Sequence, residues 1–97
     1  MPRAYPPLTP REVIAILRAR DFALDHTRGG HEYYRGFIRG RTRLVTVSTH
    51  YRQFSVRLIK RMIAQSGMTR EEFYGSTRRT ARKIALRADQ YPIPLKE

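Results

Sequence analysis

Between Phe22 and Thr49 the chain carries three short runs of alternating side chains, parted by Arg28-Gly29-Gly30 and by Arg39-Gly40-Arg41. Alternation is the pattern of strands with one buried face. Turns this short allow only antiparallel neighbours, because a parallel crossover needs a dozen residues or more. The sequence therefore predicts a three-stranded antiparallel meander. The first strand covers 22–27, with Phe22 and Leu24 inward. The second covers 31–38, with Tyr34, Gly36 and Ile38 on one face and His31, Tyr33, Arg35 and Phe37 on the other. The third covers 42–49 and turns Val45 and Val47 to the core.

Helices flank this meander. Thr9-Pro10-Arg11-Glu12 combines a cap, a proline suited to the first helical position and the glutamate of a capping box. Val13, Ile16 and Leu17 then share a face, and the helix is expected to reach Ala19 or Arg20. Ser55 opens a second helix, in which Leu58, Ile59, Met62 and Ile63 recur at helical spacing and which Gly67 ends. Thr69 with Glu72 starts a third helical turn that Gly75 interrupts. Both main helices need somewhere to bury an apolar stripe, and the sheet has one apolar face to receive them. The expected fold is α+β: an α-β-β-β-α two-layer sandwich with the helices on one face. This is the outline of a double-stranded-RNA-binding domain. The expected organisation is a Pro-rich arm over 1–8, a domain over 9–75, and a basic helix and tail over 76–97. In the last part a helix over 77–88 carries Arg78, Arg79, Arg82, Lys83 and Arg87. It reads equally as a solvated tail or as a second phosphate-binding element.

The charge narrows the choice of partner. The 97 residues hold 20 Lys and Arg against 8 Asp and Glu, a net charge of +12. All but Lys60, Lys83 and Lys96 of these bases are arginines, whose planar fork matches phosphate oxygens. Between Glu32 and Glu71 there is no carboxylate at all. A surface so little neutralised favours a polyanion or an acidic protein. With no cysteine, disulfides and thiolate metal sites are excluded. No apolar run has the length of a membrane span, and the first residues lack the apolar stretch of a signal peptide. A cytoplasmic protein with no membrane partner is expected.

His31 is the residue around which chemistry can be built. It follows Gly29 and Gly30 at a turn–strand junction, beside Tyr33, Tyr34 and Arg35. Histidine titrates near neutral pH and can act as general base or acid. RNA carries its own nucleophile, the 2′-hydroxyl, next to each phosphate. A base, cations to stabilise the developing charge, and an aromatic ring to stack on an unpaired base make up the needed set. No metal or other cofactor is called for. Arg28 and Arg35 are the expected phosphate contacts, with Lys60 and Arg61 further off. His50, at the end of the third strand, reads either as a second functional group or as a loop anchor. His26 reads as surface.

The segment Gly29-Gly30-His31-Glu32-Tyr33-Tyr34 resembles the active-site turn of the HicA toxins, small endoribonucleases of bacterial toxin–antitoxin pairs. Val45-Thr46-Val47-Ser48-Thr49-His50 resembles their third strand with its trailing histidine. The stretch from Leu58 to Phe73 resembles their second helix and closing segment. The resemblance covers residues 9–75. It departs from the family's usual pattern at Gly30, where serine is usual, and has no counterpart for 76–97. With Arg28, Gly29, Gly30, Tyr33, Arg35, His50, Lys60 and Arg61 expected around the RNA, it implies an mRNA interferase with His31 as catalyst. It also implies a HicB-like antitoxin as protein partner. Two other readings of the same residues are a non-catalytic RNA-binding module and an inactive toxin homologue that acts through a protein partner.

Overall fold

A computed structural model of the chain describes residues 3–96. Its elements run α1 (Pro10–Ala19), β1 (Ala23–Arg28), β2 (His31–Ile38), β3 (Arg41–Ser48), α2 (Val56–Ser66), α3 (Arg70–Tyr74) and α4 (Arg78–Arg82). The strands form one antiparallel sheet in the order β1-β2-β3. The expected α+β architecture with a three-stranded meander and α-β-β-β-α order is therefore present.

Local chemistry accounts for most element ends. Thr9 and Glu12 close a reciprocal capping box at α1, and Thr69 and Glu72 close another at α3. Ser55 caps α2, and Gly67 ends it with φ 76°, in the left-handed region that glycine enters without penalty. Val13, Ile16 and Leu17 of α1 share one core with Tyr34, Ile38, Val45 and Val47 of the sheet and Ile59 and Met62 of α2. The opposite sheet face leaves Phe37 and Leu44 exposed.

Three local expectations are corrected. Leu24 is 46% exposed although it sits opposite the buried Tyr34. A register shift between Leu24 and His26 marks a bulge, β1 is an outer strand, and neither main helix packs extensively on it. Phe22, just ahead of the strand, is buried as expected. Its ring lies against Gly36, where any Cβ would collide with it. The second correction concerns the helix over 77–88, which is one short helix ending at Arg82. Ala85 adopts φ 56°, and the Leu86 amide bonds back to the Ala81 carbonyl at 3.0 Å, so the chain reverses.

The third concerns the arm and the tail, whose described residues pack onto the body and do not stand apart from the 9–75 domain. Leu8 is fully buried and bridges to Phe54. The Tyr74 hydroxyl donates to the Pro6 carbonyl at 2.7 Å. Lys83 donates to the Pro7 carbonyl at 2.9 Å and, with Arg79, reaches the Glu12 carboxylate at 3.2 Å. Burial alone would raise the Glu12 pKa, but the Thr9 amide and these two cations outweigh it and lower it.

Glu72 joins the remaining parts. Its carboxylate, 1% exposed, accepts from Arg39 Nη2 at 2.6 Å, from the Lys96 amide at 2.6 Å and from the Thr69 amide at 2.8 Å. Its carbonyl accepts from Arg20 at 2.9 Å and from Ser76 at 2.7 Å. Arg39 lies in the β2–β3 turn with φ 52°, followed by Gly40 at 74°, the paired left-handed geometry favoured by tight hairpins. A non-glycine residue there costs about 1–2 kcal/mol. Arg39 offsets this with further bonds to the Gly67 carbonyl and the Lys96 carbonyl, both at 2.8 Å.

Burial tends to raise the Glu72 pKa, yet Arg39 and the Thr69 and Lys96 amides hold it down at about 2, from an ordinary 4.5. A lowered folded pKa means stability present above pH 4.5 and lost as pH falls toward 2. The linked amount is about 3 kcal/mol. Urea midpoints measured from pH 6 to pH 2 should fall in that window, and Glu72→Gln should flatten the dependence. At pH 7, Arg39→Ala should lower the urea midpoint, because it removes the cation that faces a buried carboxylate.

Candidate functional site

The sheet register sets out the outer face rung by rung. Arg28, His31 and Ser48 form one rung across β1, β2 and β3, and His26, Tyr33 and Thr46 form the next. Residues opposite one another in a ladder share a face, with Cβ atoms about 5 Å apart. Arg28 is thus the cross-strand neighbour of His31, on the same side of the sheet.

The His31 end of this face is not flat. Helix α2 lies along the free edge of β3, where the Gln65 side-chain carbonyl accepts from the Thr46 amide at 3.0 Å. Between strand edge and helix is a cavity of about 210 Å³. His31, Thr46 and Ser48 line it from the sheet, Tyr51 and Phe54 from the following loop, and Leu58, Arg61, Met62 and Gln65 from α2. Its floor is apolar, since Phe54 and Met62 are each 3% exposed. Its polar lining is an imidazole, three hydroxyls, an amide and a guanidinium. The half-exposed Tyr51 ring stands over it, 5.8 Å from Phe54. No carboxylate lines it, and Arg61 has no acidic partner among the described residues.

Of the residues expected to act together, the cavity contains His31 and Arg61, with Arg28 beside His31 on the ladder. Lys60 is turned away: its ammonium lies 5.1 Å from the centre of the Tyr5 ring. Arg35 reaches Asp25 at 3.3 Å, a solvent-exposed pair of small energetic weight. His50 does not line the cavity. Its imidazole instead occupies the space beside Gly30, so that a Cβ on Gly30 would overlap the ring. Glycine at position 30 and the placement of His50 are therefore one feature. Gly29 takes φ 59° in the same turn with open space around it.

A second group on this face went unread in the sequence. His26 stacks on Tyr33 with ring centres 4.2 Å apart and planes 7° from parallel, while its Nδ1 meets Asp25 at 2.7 Å. The bond to His26, with Arg35 adding to it, lowers the Asp25 pKa. The bulge places Asp25 next to its partners, and alternation alone gives no hint of it. The Arg61 position did leave a trace: Leu58, Arg61, Met62 and Gln65 fall on one helical face. Among the described residues no three His, Cys, Asp or Glu side chains cluster to hold a metal ion, and no helix is long and apolar enough to cross a membrane. The chain was compared with protein-family models, curated proteins and solved structures, and none matched.

The Gly30–His50 packing is open to a double-mutant cycle. Gly30→Ser should cost about 1–3 kcal/mol in urea unfolding, as overpacking does. In a His50→Gly background the same substitution should cost much less. Equal costs in both backgrounds would mean that the imidazole does not limit the turn.

Proposed function

We propose that this protein is a metal-independent endoribonuclease resembling the HicA toxins, an mRNA interferase with His31 as its general base or acid. The observation that carries the reading is the carboxylate-free cleft in which His31 and Arg61 meet beside an aromatic wall. An unpaired base fits the apolar floor and stacks on Tyr51, with its phosphate toward His31. His31 takes the proton of the 2′-hydroxyl, whose oxygen attacks the phosphorus as the 5′-oxygen leaves with a proton from water or an acid. A 2′,3′-cyclic phosphate and a 5′-hydroxyl result. Arg61 and Arg28 offset the charge that gathers on the phosphate oxygens. The α-β-β-β-α order is that of a double-stranded-RNA-binding domain, which supports RNA as the ligand.

A HicB-like antitoxin, acidic in charge, is the protein partner this reading implies. The exposed Phe37 and Leu44 on the open sheet face suit such a cover. The same two residues favour the second reading, a toxin homologue that works through its partner. A cytoplasmic site of action follows from an mRNA substrate.

The test is cleavage of a labelled single-stranded RNA in EDTA. Wild type should cut and leave cyclic phosphate ends, while His31→Ala should be folded by circular dichroism and inactive. Intact cleavage by His31→Ala would sink the mechanism. Arg61→Ala should lower kcat about 10²-fold, as loss of one charge-stabilising donor does. Lys60→Ala, away from the cleft, should change it less than about 3-fold on the same scale.

A further inference from the structure

Some of the chain's cations are committed to ion pairs within the fold. Arg39, Arg70, Arg79 and Lys83 each meet a carboxylate. Arg78, Arg82 and Arg87 are exposed and, among the described residues, meet none. Yet the fold gathers these three around one hollow. Arg78 and Arg82 lie one turn apart on α4. The reversal at Ala85 then brings Arg87 and Tyr91 back to the same place. The Tyr91 hydroxyl accepts from the Ala88 amide at 3.0 Å and donates to the Leu86 carbonyl at 3.2 Å, which fixes its ring. The Arg78 guanidinium lies 5.6 Å from the centre of that ring. The hollow measures about 520 Å³ and shares no lining residue with the His31 cleft. The nearest acid in sequence, Asp89, lines an adjoining hollow that shares Ala88 with this one, and it pairs with none of the three arginines.

We infer that the hollow formed by Arg78, Arg82, Arg87 and Tyr91 is a second RNA site, which holds phosphodiester groups of a strand engaged at His31. Three convergent guanidiniums without a counter-charge repel one another, and an anion relieves that repulsion. Guanidinium forks match phosphate oxygens bidentately, and an aromatic ring set among them gives a base a surface to stack on. The inference rests on the reading of this chain as RNA-directed. The described protein measures 36 × 31 × 18 Å. At ~3.4 Å per phosphate, a strand of about 12 nucleotides spans it.

The probe is a fluorescent 2′-O-methyl RNA of that length, which the 2′-hydroxyl chemistry cannot cut. Its affinity is measured against salt for wild type and for folded R78A/R82A/R87A, R78K/R82K/R87K and R11A/R41A/R52A. The last removes three exposed arginines outside the hollow. At about 0.7 per phosphate contact, the alanine variant of the hollow should lose about 2 from the slope of log K against log salt. It should bind at least about 10-fold more weakly near 0.15 M salt. The lysine variant should keep most of the slope, and R11A/R41A/R52A should lose less than half as much. A hollow variant that binds like wild type, or no worse than R11A/R41A/R52A, overturns the inference even if wild type cleaves ordinary RNA. The expected binding pattern without any cleavage by wild type upholds the inference and overturns the ribonuclease reading. Failure of wild type to bind the probe overturns both.

Discussion

A buried carboxylate holds the architecture together. Glu72 closes the cap of α3, binds the β2–β3 turn through Arg39, and accepts the backbone of the chain end at Lys96, while its carbonyl takes Arg20 from the end of α1. Burying such a charge is tolerable only when cations and amides meet its oxygens, and here they do. The consequence is geometric. The hairpin turn, two helix ends and the tail meet at one point, so departure of the tail would cost the buried carboxylate one of its three partners. Glu12 repeats the arrangement at the other capping box, with Arg79 and Lys83 as its cations.

With the frame fixed, the cleft at His31 follows from how α2 meets the sheet. The helix covers the inner face with Ile59 and Met62 and reaches the strand edge through Gln65 and Thr46. Its next residues round, Leu58 and Arg61, therefore look into the space beyond the edge, where the outer-face residue His31 also points. An apolar floor, an imidazole and a guanidinium come together because the helix bridges the two sides of one edge strand. Gly30 contributes by giving room to His50, which keeps that imidazole on the turn and out of the cleft.

The arginines divide into two populations with different physical roles. Arg20 and Arg39 each make three side-chain bonds and act as internal ties between segments far apart in sequence. Among the described residues, Arg61, Arg78, Arg82 and Arg87 have no such partner, and they border hollows. A count of basic residues cannot separate these groups, because a guanidinium satisfied by carbonyls and one awaiting a phosphate are the same in composition.

What the sequence determined by itself was whatever depends on neighbours a few residues away. The capping boxes, the helix stop at Gly67, the alternation that buries Tyr34, Ile38, Val45 and Val47, and the turns at Gly29 and Gly40 are all local, and all could be read directly. Tertiary structure decided what depends on distant partners. Leu24 has an inward pattern, but no helix packs extensively on its strand. The helix-prone run after Thr77 is cut short where Ala85 turns the chain, with the preceding segment tied to α1. Lys60 and Arg61 are adjacent in sequence, yet a helix turns them to different sides, one to Tyr5 and one to the His31 cleft. Local propensity is written residue by residue, whereas the company a side chain keeps depends on which surfaces meet once the whole chain has closed.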